Sequence, residues 1–155
     1  MTAHHGYSSY STNTARYASA GIQVAMLLAT VGRHMEAARE AIKSNDFEGR
    51  FNATEKAATI ISGLRGCLDH STPEISEVSN TLDAYYANLL TYLTQINIKN
   101  DLTLCESVIE SVRIMSTTWR EVQARADEEA RATLTTPAAP AVATGTGTSG
   151  SDVSA

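Results

Sequence analysis

The sequence is short of most things that mark catalytic chemistry or a membrane. Its 155 residues hold one Trp, two Phe, two Cys and three Pro. The longest uninterrupted apolar run is Val24 to Ala29, against the roughly 20 residues that a helix needs to span a bilayer. Membrane insertion is therefore not expected. The opening MTAHHGYSSYSTNT has neither a basic start nor an apolar stretch, which argues against a secretion signal. Lys and Arg number 12 against 17 Asp and Glu, a net charge of −5, and no basic run exceeds two. A nucleic-acid binder needs a concentrated basic face, so that class is set aside. Cys67 and Cys105 lack CxxC spacing and sit inside apolar helical patterns. They read as reduced thiols on core faces of a cytoplasmic protein.

Catalytic and metal motifs are also missing. Four-helix proteins bind metals through Glu-x-x-His pairs that project inward, and none of His4, His5, His34 or His70 has Glu three residues before it. There is no Gly-rich phosphate loop and no Ser/His/Asp set in a recognisable local context. No catalytic residue, metal ligand or cofactor is expected, and the chain is not read as an enzyme.

What the chain does have is helical periodicity. Tyr85, Leu89, Tyr92 or Leu93, and Ile96 alternate by threes and fours. After a break at Asn100-Asp101, so do Leu102, Cys105, Ile109, Val112, Met115 or Ser116, Trp119 and Val122. This spacing puts one apolar seam on each helix. Asn100 and Asp101 are suited to ending one helix and capping the next, and so short a connection predicts two antiparallel helices packed seam to seam. Upstream, Val24, Leu27 or Leu28, Val31, Met35, Ala38 and Ile42 repeat the pattern from a cap at Ser19. A second helix follows the Ser44-Asn45-Asp46 turn, with Asn45 and Glu48 resembling a capping box. A third begins at Pro73, with Ser71 and Glu74 as its candidate box.

No segment alternates with the period of a strand. The prediction is an all-α, antiparallel up-down-up-down four-helix bundle, with helices near 19–43, 46–69, 73–98 and 101–130. The bundle proper is assigned to residues 18–134. Residues 1–17 are expected to be a flexible arm anchored by its tyrosines, and the Ala/Thr/Gly-rich residues 135–155 a disordered tail.

The helices are apolar over more than one seam, which a closed bundle does not require. Ile22, Met26 and Leu28, Ile60 and Leu64, Tyr86 and Leu90, and Leu104 and Val108 lie off the main seams. Either a thick core absorbs them or they line an external groove for a partner's amphipathic helix. Tyr10 and Tyr17 are the arm residues placed to dock on such a groove.

The Asn97-Ile98-Lys99-Asn100-Asp101 break, followed by Glu106, Val108 and Thr118-Trp119, resembles the end of the flagellar secretion chaperones of the FliS type. Tyr10 ahead of Ala18-Ser19, Ile60-Ile61, Leu64 and Leu68-Asp69, then Tyr86, Leu93 and Asn97, extend the resemblance over about residues 10 to 122. Ala20 stands where the family has Pro, and Leu27-Leu28-Ala29-Thr30 where it commonly has L-Y-D-G. The resemblance implies a cytoplasmic chaperone that wraps the disordered C-terminal segment of flagellin. Such a protein prevents premature polymerisation and delivers the subunit to a component of the flagellar export gate. A homodimer stays open. The alternative class is a signalling or histidine phosphotransfer bundle, with His34 as its only candidate residue.

Overall fold

The computed structural model describes the backbone of residues 5–135 and the side chains from Ala20 onward. It contains four helices: α1 (His5–Lys43), α2 (Phe47–Gly66), α3 (Pro73–Lys99) and α4 (Leu102–Thr135). Among the described residues α1 packs on α4 and α2, and α3 on α2 and α4, while the diagonal pairs do not approach. With short turns between them, the four run up, down, up and down around one core.

The turns show how local chemistry sets the helix ends. Asn45 takes the left-handed conformation, with φ 55°, which few residues other than Gly and Asn enter cheaply. Its N–H donates to Ile42 O at 3.2 Å and the N–H of Asp46 donates to Ala41 O at 2.8 Å. That pair of bonds closes the end of α1 in a Schellman arrangement. Asp46, rather than the expected Asn45, then caps α2 by accepting from Gly49 N at 2.8 Å. Similarly Thr72, and not Ser71, caps α3 by accepting from Ile75 N at 3.3 Å, with Pro73 in the first turn. The α3–α4 turn matches its prediction. Asn100 is left-handed with φ 53°, and Asp101 Oδ1 accepts from Leu104 N at 2.9 Å.

Two boundaries differ from expectation. Helix α1 already runs from His5, so Ser19 lies inside it. Each residue added to an existing helix gains a hydrogen bond, and no proline interrupts this stretch. Helix α4 continues to Thr135 past the last large apolar residue of its seam, with Gln123 buried and Ala126 and Ala130 half-buried.

The core is built from Leu28, Val31, Met35, Ile61, Leu89, Leu93, Ile96, Val108 and Val112, with Tyr86 and Cys105 among them. Burial pushes the Tyr86 hydroxyl up to about 12 and the Cys105 thiol up to about 11, because a charged form loses its hydration there. Cys67 does not share this setting. Helix α2 ends at Gly66, so Cys67 falls beyond the helical period and is exposed, contrary to its expected core face.

The closest helix pairing is α1 with α4, not the α3–α4 hairpin, which has the least extensive contact of the four. Small residues explain the first. Gly21, Ala25 and Gly32 let α4 approach. Ser116 Oγ donates to Ala25 O at 2.8 Å, and a Cβ on Gly32 would stand 3.6 Å from Val112 Cγ2. Trp119 packs at the same seam, half-buried beside Gly21. Bulk explains the second: the Tyr85 and Tyr86 rings pack tilted at 58° with centroids 5.6 Å apart, and Tyr85 stands between α3 and α4 with its hydroxyl 3.1 Å from Ser111 Oγ.

Candidate partner-binding grooves

The wider gap between α3 and α4 is an open groove of about 760 Å³. Tyr85 forms one wall. Thr103, Glu106, Ser107, Glu110, Ser111, Ile114, Met115 and Thr118 form the rest. The steps of three and four put these on a single stripe along α4, turned away from the buried stripe of Cys105, Val108, Val112 and Ser116. Ile114 is 52 % exposed. Glu110 accepts from Arg113 at 2.8 and 2.5 Å, which holds its carboxyl below the usual range.

A second, smaller groove of about 290 Å³ lies between α1 and α2, lined by Leu27, Ile60, Gly63, Leu64 and Cys67. No charged residue lines it. Gly63 leaves it open: a Cβ there would meet no atom within 4 Å. Ile22 and Met26 are exposed on α1, Met26 to 60 %. Because the helices form a ring, the two grooves open on opposite sides of the bundle.

The ten candidate residues divide accordingly. Ile60 and Leu64 line the α1–α2 groove, Leu64 as its nearly buried floor, and Ile22 and Met26 present free apolar surface on the same helix as Leu27. Tyr86 and Val108 are core residues, as is Leu28 of α1, and Leu90 and Leu104 are half-buried against that core. For these five the thick-core reading describes the free chain. The side chains of Tyr10 and Tyr17, and residues 136–155 of the tail, lie outside the described residues.

The α3–α4 groove was missed as a site. Tyr85 and Met115 were assigned to seams, and Ile114 fell outside every pattern. The signal was present in the ambiguous pairs. At Leu27-Leu28, Tyr92-Leu93 and Met115-Ser116 the second residue is buried, and the first is left exposed or half-buried at the surface.

Among the described residues no cluster of His, Cys, Asp and Glu is arranged to hold a metal, and no helix is long and apolar enough to cross a membrane. His34 is half-buried on α1.

The fold is a small all-α bundle with two external grooves, and comparison with known proteins gives its class. Residues 3–126 match the family model described as flagellar protein FliS, and the chain belongs to that family. It is similar to three proteins named flagellar secretion chaperone FliS. That of Vibrio cholerae serotype O1 is 28 % identical over 99 residues, 64 % of this chain and 71 % of the relative. That of Escherichia coli strain K12 is 31 % identical over 81 residues, 52 % of this chain and 58 % of the relative. That of Campylobacter jejuni is 28 % identical over 116 residues, 75 % of this chain and 89 % of the relative. These similarities support a flagellar export chaperone over a phosphotransfer bundle.

Proposed function

We propose that this chain is a cytoplasmic flagellin export chaperone. It binds the C-terminal segment of flagellin, keeps it from polymerising and presents it to a component of the flagellar export gate. The observation that carries this reading, beside family membership, is the pair of grooves on opposite sides of one bundle. A segment that is disordered alone loses about 1–2 kcal/mol of backbone entropy per residue when it orders. A single pocket cannot offset that for a long segment, whereas a segment that wraps the bundle to reach both grooves buries apolar surface along much of its length. The reaction is binding alone and needs no catalytic group.

The test is a polymerisation assay. Purified flagellin seeded with short filaments should stop elongating as the chain reaches equimolar concentration, and should resume when a competing C-terminal flagellin peptide is added. Elongation that continues unchanged at several-fold excess of the folded chain overturns the reading.

A further inference from the structure

The two grooves differ in charge, and the difference specifies what the larger one takes. The α3–α4 groove runs along α4 from Thr103 to Thr118, about 22 Å or four helical turns at 1.5 Å per residue. Its first half is acidic and hydroxyl-rich: Thr103, Glu106, Ser107 and Glu110. Its second half carries the large apolar side chains Ile114 and Met115 with Tyr85, beside the hydroxyls of Ser111 and Thr118. No Lys or Arg lines it. Glu106 makes no ion pair among the described residues. Glu110 is paired only within its own helix, to Arg113, with both side chains more than half exposed. A pair so exposed is weak and is readily exchanged for another cation.

We infer that this groove binds an amphipathic helix whose basic side chains lie over Glu106 and Glu110 and whose large apolar side chains lie over Tyr85, Ile114 and Met115. The inference rests on the chaperone reading and states the chemistry of the segment that this groove holds. The chain's own tail does not meet the description, since residues 136–155 contain no Lys or Arg. The α1–α2 groove, uncharged throughout, would not share the preference.

The probes are two synthetic helical peptides of about 18 residues with the same apolar face. One carries Lys at the flanking positions of its first half and the other carries Gln there. Binding is read by fluorescence anisotropy against the full chain, against Glu106→Gln/Glu110→Gln, and against Glu128→Gln/Glu129→Gln. The last variant changes net charge equally on an exposed part of α4 outside the groove. At about 50 mM salt the Lys peptide should bind the unaltered chain roughly tenfold more tightly than the Gln peptide, and the advantage should fall away at about 0.5 M. It should vanish in Glu106→Gln/Glu110→Gln and persist in Glu128→Gln/Glu129→Gln. An advantage that survives the first variant, an equal loss in both, or no binding of either peptide overturns the inference. The flagellin C-terminal segment is titrated in parallel. If it binds and the Lys preference is absent, only the groove assignment falls; if it does not bind, the chaperone reading falls.

Discussion

Arg50 of α2 holds the end of α3 through Asn97. Its Nη2 donates to the Asn97 carbonyl at 2.9 Å, and its Nε donates to Asn97 Oδ1 at 3.3 Å. Nη1 reaches Asn100 Oδ1, Asn97 Nδ2 donates to Thr54 Oγ1 at 2.8 Å, and the guanidinium sits 5.1 Å from the Phe47 ring centroid. A cation at the carbonyl end of a helix also opposes its dipole favourably. Two asparagines of the 97–101 motif thus act by clasping a buried arginine, while Asp101 caps α4.

Replacing that arginine leaves buried acceptors without donors. Arg50→Met is expected to lower unfolding free energy by about 2–4 kcal/mol. Arg50→Lys should recover little of this, because an ammonium cannot span both asparagines. Urea unfolding followed by circular dichroism checks both values. A lysine variant as stable as the parent would show that charge alone suffices.

The two thiols should separate cleanly. Cys67 is exposed at the end of α2, whereas Cys105 is buried with its thiol pushed up to about 11. With a thiol reagent at neutral pH, one label should add quickly and the second only as the bundle opens. Mass spectrometry of the first adduct should place it on Cys67.

Stability should fall on the alkaline side. Cys105 rises from 9.0 to about 11 and Tyr86 from 10.0 to about 12. Their contribution is complete below about pH 9. It is then lost through pH 12, because the unfolded chain releases these protons first. The thermal midpoint should drop across that window, and less steeply in Cys105→Ala. An equally steep drop in that variant would assign the effect to other groups.

Gly63 and Gly21 should respond differently to an added methyl. At Gly63 nothing lies within 4 Å, so Gly63→Ala should gain about 0.5–1 kcal/mol from helix propensity. At Gly21 the new Cβ would stand 2.9 Å from Gln123 Oε1, so that side chain must move and the gain should shrink or reverse. Paired urea titrations compare the two.

The fold was legible because helical periodicity is carried by many residues at once, from Val24 to Val122. The caps were legible only to within a residue. Asn45 and Asp46, or Ser71 and Thr72, have nearly the same side-chain chemistry, and backbone geometry alone chooses between them. The site was less legible. Tyr86 and Val108 look as free as Ile22 and Met26 when each helix is read alone. Which of them is buried depends on how each helix is rotated against its neighbours, and that is a property of packing between helices rather than of any one segment.

The most direct test of the chaperone reading is calorimetric titration of the full chain with the C-terminal segment of flagellin, repeated with Leu27→Asp in the α1–α2 groove and Ile114→Asp in the α3–α4 groove. Both side chains are exposed, Leu27 to 41 % and Ile114 to 52 %, so both variants should stay folded, as circular dichroism will verify. The unaltered chain should bind with a dissociation constant of roughly micromolar or tighter, with a negative heat-capacity change from apolar burial. Each variant should weaken binding by about tenfold or more, since a carboxylate on either side of the bundle removes one groove's contacts. Tight binding unaffected by either substitution, or no binding by the folded parent chain, would contradict it.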